Sequence, residues 1–291
     1  MLQGDAEEAQ NLYRTVISLG PSPARTVAAF NLGVLLGPSE QGAEALSMAY
    51  GLRPSHIPTL TAYADFLLAL GDAPKSASVY YRATRAAPDS ADALIWYAKA
   101  QSACEGGQGE AMRAYRSAVA LSPANPEGLA GLASLLQDVD GAFDEAMSLY
   151  ESALTVNPEH AASNYGLALC LEQKGNANAA ESAYLSAVSS DPTHTNAWNN
   201  LGRLREVAGG QGAKEAYERA LGSDPGHVTS LYNYGSMLQS AGDYPGAEVL
   251  YRRALSVSDG GQAIGGVLCN YGLLVEVGTM LRNLHCSLNR G

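Results

Sequence analysis

Apolar and small residues recur along this chain at steps of three and four, which is the pattern of helices that bury one face. One group joins a small residue, a bulky residue four positions later and a second small residue three positions after that. Ala180, Tyr184 and Ala187 form such a group, and Pro192 follows five positions on. Because proline cannot continue a helix, the group predicts a helix that ends near the proline.

The group recurs along the whole chain. Its bulky residues are Tyr13, Leu46, Tyr80, Tyr115, Tyr150, Tyr184, Tyr217 and Tyr251, so that successive copies are 33 to 35 residues apart. An earlier segment of each unit carries another small residue directly after Leu or Tyr, namely Gly33, Ala64, Ala98, Ala133, Ala168, Gly202, Gly235 or Gly272. Turn-forming pairs such as Gly175-Asn176 and Gly242-Asp243 separate the two segments. Each unit is therefore predicted to be two antiparallel helices.

A single helix pair cannot bury its apolar face, so neighbouring pairs must stack into a solenoid. We predict one array over residues 1–291. It comprises the second helix of a partial repeat at 4–22, repeats at 26–56, 57–90, 91–125, 126–160, 161–194, 195–227 and 228–261, and an incomplete repeat at 265–291. Unpartnered ends of this kind are expected in a fragment of a longer array, or in a homo-oligomer that pairs through its terminal repeats.

This period, with its small residues, Tyr and Pro, resembles the tetratricopeptide repeat (TPR) family. The resemblance implies an all-α TPR solenoid of antiparallel helix pairs in a right-handed superhelix. It also implies that the first helices line a concave groove, which receives a peptide or a helix of a partner protein.

Asparagine marks a second repeating position, two residues before the first-helix small residue. In the TPR arrays that the O-linked N-acetylglucosamine transferases carry, Asn at this position faces the groove and holds the backbone of a bound peptide. The matching residues here are Asn31, Asn200, Asn233 and Asn270. A primary amide can both donate and accept, so it pairs with a peptide unit whatever that unit's side chain. The middle units have Ala62, Trp96, Gly131 and Gly166 at this position, which excludes a continuous ladder.

Several neighbours complete the predicted peptide-binding set. Asn199 borders the Asn position, Arg203 and Glu206 follow on the same helix, and Trp96 replaces Asn in its own unit. Arg203 and Glu206 would add side-chain selectivity. The competing interpretation is that these are ordinary solvated residues on exposed helices.

Charge and motifs narrow the function. With 18 Lys and Arg against 29 Asp and Glu, the net charge of −11 disfavours nucleic acid and anionic membrane surfaces as partners. His56, His160, His194 and His227 occupy the same place in different units, so they are predicted at helix starts and cannot share one metal ion. No metal or cofactor is expected, and no catalytic motif is present, which predicts a protein that is not an enzyme.

The sequence therefore predicts a protein-protein interaction scaffold that binds an extended peptide or helix. The alternative is the substrate-recruiting array of a larger, O-linked glycosyltransferase-like enzyme. The first residues lack a basic segment and an apolar core, which favours the cytoplasm and leaves the nucleus open.

Overall fold

The computed structural model describes residues 3–140, 142–209, 212–257 and 265–276, and within these residues all regular structure is helical. The prediction of an all-α fold is confirmed. The helices of the first part of the chain are α1 (Gln3–Ser18), α2 (Pro23–Leu36), α3 (Glu40–Leu52), α4 (Ile57–Ala69), α5 (Ala73–Ala86), α6 (Ala91–Ser102), α7 (Gln108–Leu121), α8 (Pro126–Leu135) and α9 (Phe143–Val156), with a π-helical turn at Leu136–Asp140. The later helices are α10 (Ala161–Gln173), α11 (Ala177–Ser190), α12 (Thr195–Val207), α13 (Ala213–Ser223), α14 (Val228–Ser240), α15 (Tyr244–Val257) and α16 (265–276).

The chain forms two compact units, an N-terminal unit of Met1–Pro158 and a C-terminal unit of Glu159–Gly291. In both, the even-numbered helices are the predicted first helices of the pairs and the odd-numbered ones are the second helices. Each first helix packs against the second helix that follows it, from α2 against α3 to α14 against α15. Both units are therefore stacks of helical hairpins.

The predicted packing of small against bulky residues is present at the helix crossings. Gly33 lies against Leu46, Gly202 against Tyr217 and Gly235 against Tyr251, and a Cβ atom at Gly202 would lie 2.8 Å from the Tyr217 ring. The side chains of Leu46, Tyr217 and Tyr251 are fully buried. Glycine at the crossing lets the two backbones approach, and the bulky side chain fills the remaining space.

The predicted helix starts and turns are confirmed as well. His56, His160, His194 and His227 are all N-cap residues. The Nδ1 atoms of His160 and His194 accept the backbone N–H three residues on, which satisfies a donor at the helix start. In the turns between paired helices, Gly175 and Gly242 have φ values of 76° and 84°, a region that favours glycine.

Two predictions stay open. The boundaries of the individual repeats stay a prediction, and residues 277–291 of the incomplete last repeat lie outside the described residues.

None of the described helices combines the length and the apolar character that a membrane crossing requires.

Candidate functional site

The predicted peptide-binding residues fall in both units. Asn31 on α2 and Trp96 on α6 belong to the N-terminal unit, where each is half-buried. The ring of Trp96 lies against that of Tyr80, with 6.2 Å between the ring centroids. The other six predicted residues lie on α12, α14 and α16 of the C-terminal unit, and the structure connects five of them to neighbouring first helices.

Asn199 is the centre of a hydrogen-bond network that joins α10, α12 and α14. Its Oδ1 atom accepts from Asn233 Nδ2 at 3.1 Å and from Ser230 Oγ at 3.2 Å. Its Nδ2 atom donates to Asn200 Oδ1 at 3.1 Å, and Asn200 Nδ2 donates to the Tyr165 hydroxyl at 3.4 Å. Three successive first helices are thereby connected through side-chain amides.

His227 lies at one end of this network. Its Nδ1 atom lies 2.7 Å from Ser230 Oγ. Because the Ser230 hydroxyl proton is directed to Asn199, His227 Nδ1 must carry the proton that it shares with Ser230. Burial lowers the pKa of His227, and the charge of Asp224 opposes that shift only in part. Neutral His227 therefore fits its place at the start of α14.

Asn270 extends the same arrangement to α16. Its Nδ2 atom lies 3.5 Å from the Tyr232 hydroxyl and 3.4 Å from the Tyr251 hydroxyl. The Tyr251 hydroxyl in turn donates to Gln239 Oε1 at 2.9 Å. Asn270 thus contacts the preceding first and second helices, as Asn200 and Asn233 contact their own neighbours.

Arg203 and Glu206 are already engaged with neighbouring side chains. Arg203 pairs with Glu172, whose other oxygen accepts the Tyr184 hydroxyl at 2.9 Å. Glu206 accepts the Tyr217 hydroxyl at 2.9 Å. Burial, and then the adjacent carboxylate, raises the pKa of both tyrosines, so the hydroxyls remain protonated donors.

The network leaves hydrogen-bonding capacity on two of the asparagines. A primary amide has two N–H donors and an oxygen with two lone pairs. Among the described residues, Asn233 uses one donor, whereas Asn200 uses one lone pair and donates to the hydroxyls of Tyr165 and Tyr184. Both side chains are half-buried, so their remaining groups can reach a ligand. Together with Asn270 at the same position of α16, Asn200 and Asn233 form a surface that we call the Asn face.

Asn199 is more deeply buried than the residues of the Asn face. It is only 4% exposed, and both lone pairs of its oxygen are occupied by Ser230 and Asn233. These contacts place Asn199 behind the Asn face as its support, while its assignment as a peptide-binding residue stays a prediction. One signal was present in the sequence, because the equivalent residues Tyr165 and Tyr232 are large side chains that suit a packed position.

The sequence reasoning also missed three partners of the candidate residues. Tyr165 contacts Asn200, Glu172 pairs with Arg203, and Ser230 donates to Asn199.

No group of three His, Cys, Asp or Glu side chains within the described residues is arranged to hold a metal ion.

Comparison with known proteins agrees with this architecture. Two family models described as tetratricopeptide repeat match residues 140–204 and 204–263. A search of curated proteins gives no significant match. Among solved structures, the human IFIT1 dimer with PPP-AAAA superposes with a TM-score of 0.70 at 18% identity, over 98% of this chain and 71% of the IFIT1 chain.

Two further structures share the fold. TTC0263, a TPR protein of Thermus thermophilus, superposes with a TM-score of 0.54 at 23% identity, over 62% of this chain and 97% of its own. The APC/C hetero-tetramer Cut9-Hcn1 gives a TM-score of 0.70 at 13% identity, over 91% of this chain and 52% of the other. Residues 140–263 therefore match tetratricopeptide repeat models, and the described chain has the helical-repeat fold of TPR proteins.

Proposed function

We propose that this protein is an interaction scaffold whose C-terminal unit binds an extended segment of a partner protein along the Asn face. The observation that carries this proposal is the state of Asn200 and Asn233. Buried Asn199 holds both amides in place on adjacent helices, and Asn233 retains a donor and its oxygen for a ligand while Asn200 retains one lone pair.

The spacing of the helices supports an extended ligand. Packed helices lie about 8–10 Å apart. A chain in the polyproline II conformation rises about 3.1 Å per residue and completes a turn in three residues, so it advances about 9 Å per turn. Every third peptide unit of the bound ligand would then lie beside the Asn of the next first helix.

One ion pair and one hydrogen bond on this surface affect how selectively a ligand is bound. Arg203 is paired with Glu172, and Glu206 holds the Tyr217 hydroxyl. A ligand must displace these contacts before it can pair with the charged group of Arg203 or of Glu206. We therefore infer that affinity comes chiefly from backbone contacts with the Asn face, and that the ligand sequence is read weakly.

The test is a triple substitution of Asn200, Asn233 and Asn270 by Ala. Partners are first recovered by affinity purification with the parent chain, and their binding is then measured by calorimetry. Since each net hydrogen bond contributes about 1 kcal/mol, the triple variant should bind roughly a hundredfold more weakly. Helicity should be unchanged, because the three side chains are only half-buried.

Asn196→Ala is the matched control, since Asn196 is exposed on the same helix α12. It should bind the partner as the parent does. If the triple variant also retains the parent's affinity, the Asn face is not the binding site.

The asparagines at four matching positions also support a second proposal. The chain would then be the substrate-recruiting array of a larger, O-linked glycosyltransferase-like enzyme, and would itself carry no catalytic residues. A reading frame that continues into a glycosyltransferase-like domain would support this proposal, and one that encodes only further helical repeats would contradict it.

A further inference from the structure

The N-terminal unit contains an open cavity of about 460 Å³ between the first helices α6 and α8, with several polar side chains in its lining. Lys99 and Ser102 of α6 line it, together with Ser134 of α8 and Asp138 beyond it. Tyr115 of the intervening helix α7 also faces the cavity and is only 7% exposed. A volume of this size is typical of ligand-binding sites.

The equivalent place in the C-terminal unit is filled by large side chains. There Glu172, four residues after Ala168, and Arg203, one after Gly202, form an ion pair beside the Tyr184 hydroxyl. Asn200, two residues before Gly202, completes the cluster.

At the corresponding positions the N-terminal unit has Ser102, four residues after Ala98, and Gly131 and Ser134, two before and one after Ala133. Three large residues are thus replaced by small ones. The cavity is the space that these replacements leave.

The hydroxyl of Tyr115 differs from the corresponding hydroxyl in four other repeats. In four other repeats the second-helix tyrosine donates to a side-chain oxygen of its own first helix, in the pairs Tyr80–Asp65, Tyr184–Glu172, Tyr217–Glu206 and Tyr251–Gln239. Within the described part of the chain, Tyr115 has no such acceptor. Burial, and then the charge of Glu127, raises the pKa of Tyr115 to about 12, so its hydroxyl is a protonated donor at neutral pH.

The other polar groups of the cavity favour an anionic acceptor with a single charge. The Ser102 hydroxyl already donates to the Ala98 carbonyl at 2.9 Å. Lys99 is exposed and forms no ion pair with any described residue. A carboxylate could accept from Tyr115 and pair with Lys99, and the negative charges of Glu127 and Asp138 oppose the double charge of a phosphate group more than the single charge of a carboxylate.

We propose that this cavity binds the side-chain carboxylate of an Asp or Glu in a partner polypeptide. This carboxylate supplies the acceptor that four other repeats provide from their own first helix. The site lies in the N-terminal unit and does not rest on binding at the Asn face. The partner carboxylate would take the place that Glu172 occupies beside Tyr184.

A positional-scanning library of acetylated and amidated decapeptides tests the proposal with the full chain. One position should favour Asp or Glu over Asn and Gln. For the best peptide, Tyr115→Phe should lower the affinity about tenfold or more, because a hydrogen bond to a charged group is lost. Lys99→Met, at an exposed position, should also lower it. Tyr80→Phe is the control, since the Tyr80 hydroxyl is already paired with Asp65.

The acidic preference should persist when Asn200, Asn233 and Asn270 are all replaced by Ala, which separates this site from the Asn face. The proposal is overturned if no position favours an acidic residue, or if Tyr115→Phe and Lys99→Met both bind as the parent does. A stronger preference for phosphoserine than for Glu would overturn the carboxylate assignment. Equal affinity for free glutarate would overturn the assignment to a polypeptide.

Discussion

At the scale of single residues, two adjacent asparagines have different roles. Asn200 is half-buried and keeps part of its hydrogen-bonding capacity, whereas Asn199 is buried and connects α12 to α14. The buried amide determines where the amides of its neighbours point. Its loss should therefore affect stability first and binding only as a consequence.

Asn199→Ala should lower the free energy of unfolding by about 1–3 kcal/mol, because the donors of Ser230 and Asn233 lose their shared acceptor in a buried place. Urea denaturation, monitored by the loss of helix content, measures this change. Asn196→Ala, on the exposed side of the same helix, should change the free energy by no more than about 0.5 kcal/mol. Equal effects of the two substitutions would contradict the role of Asn199 at the centre of the network.

The residue types of the site were readable from the sequence, but the connections between them were not. The spacing of the repeats places Asn200, Asn233 and Asn270 at the same position of three successive first helices. The direction of each hydrogen bond depends on side-chain torsions and on the neighbouring repeat, which register does not supply. The cavity beside Tyr115 likewise requires small residues on two helices at once, and the absence of Asn at Gly131 does not by itself indicate it.

At the scale of helices, the crossings explain why the repeat could be predicted so directly. A small residue on the first helix and a bulky one on the second must meet in every pair, so both recur with the period of the chain. Gly202 against Tyr217 and Gly33 against Leu46 are two such contacts. The structure adds how close the contacts are, which decides what each position tolerates.

Two glycine substitutions should have opposite effects on stability. In Gly202→Ala the new methyl would lie 2.8 Å from the fully buried Tyr217 ring, and overpacking of this kind costs about 1–3 kcal/mol. This cost should outweigh the gain in helix propensity of about 1 kcal/mol. In Gly222→Ala, on α13, the methyl meets no atom within 4 Å, so only the gain should remain.

Thermal or urea unfolding of the two variants provides the comparison. Gly202→Ala should unfold more easily than the parent and Gly222→Ala less easily. Stabilisation by both would show that Tyr217 can move aside and that the crossing is loosely packed.

At the scale of the whole molecule, the net charge disfavours one class of partner. IFIT1, whose structure contains PPP-AAAA, superposes on 98% of this chain. The net charge of −11, however, opposes the approach of a phosphate backbone. Because a shared fold does not determine what a repeat protein binds, we give the charge more weight.

We therefore expect no saturable binding of a 5′-triphosphate AAAA oligonucleotide by this chain. Fluorescence anisotropy at low and at physiological salt measures it, with human IFIT1 as the positive control. Saturable binding that weakens steeply as salt is raised would instead indicate contacts with the phosphates and would contradict the expectation.

The amide network on α10, α12 and α14 also bears on the entropy of association. In a free protein, surface side chains sample several rotamers, and a ligand must immobilise those that it contacts at a cost of about 0.5–1.5 kcal/mol each. Asn200 and Asn233 are already restrained by Asn199 before any ligand arrives. The surface is thus preorganised, and a flexible partner would bear most of the ordering cost alone.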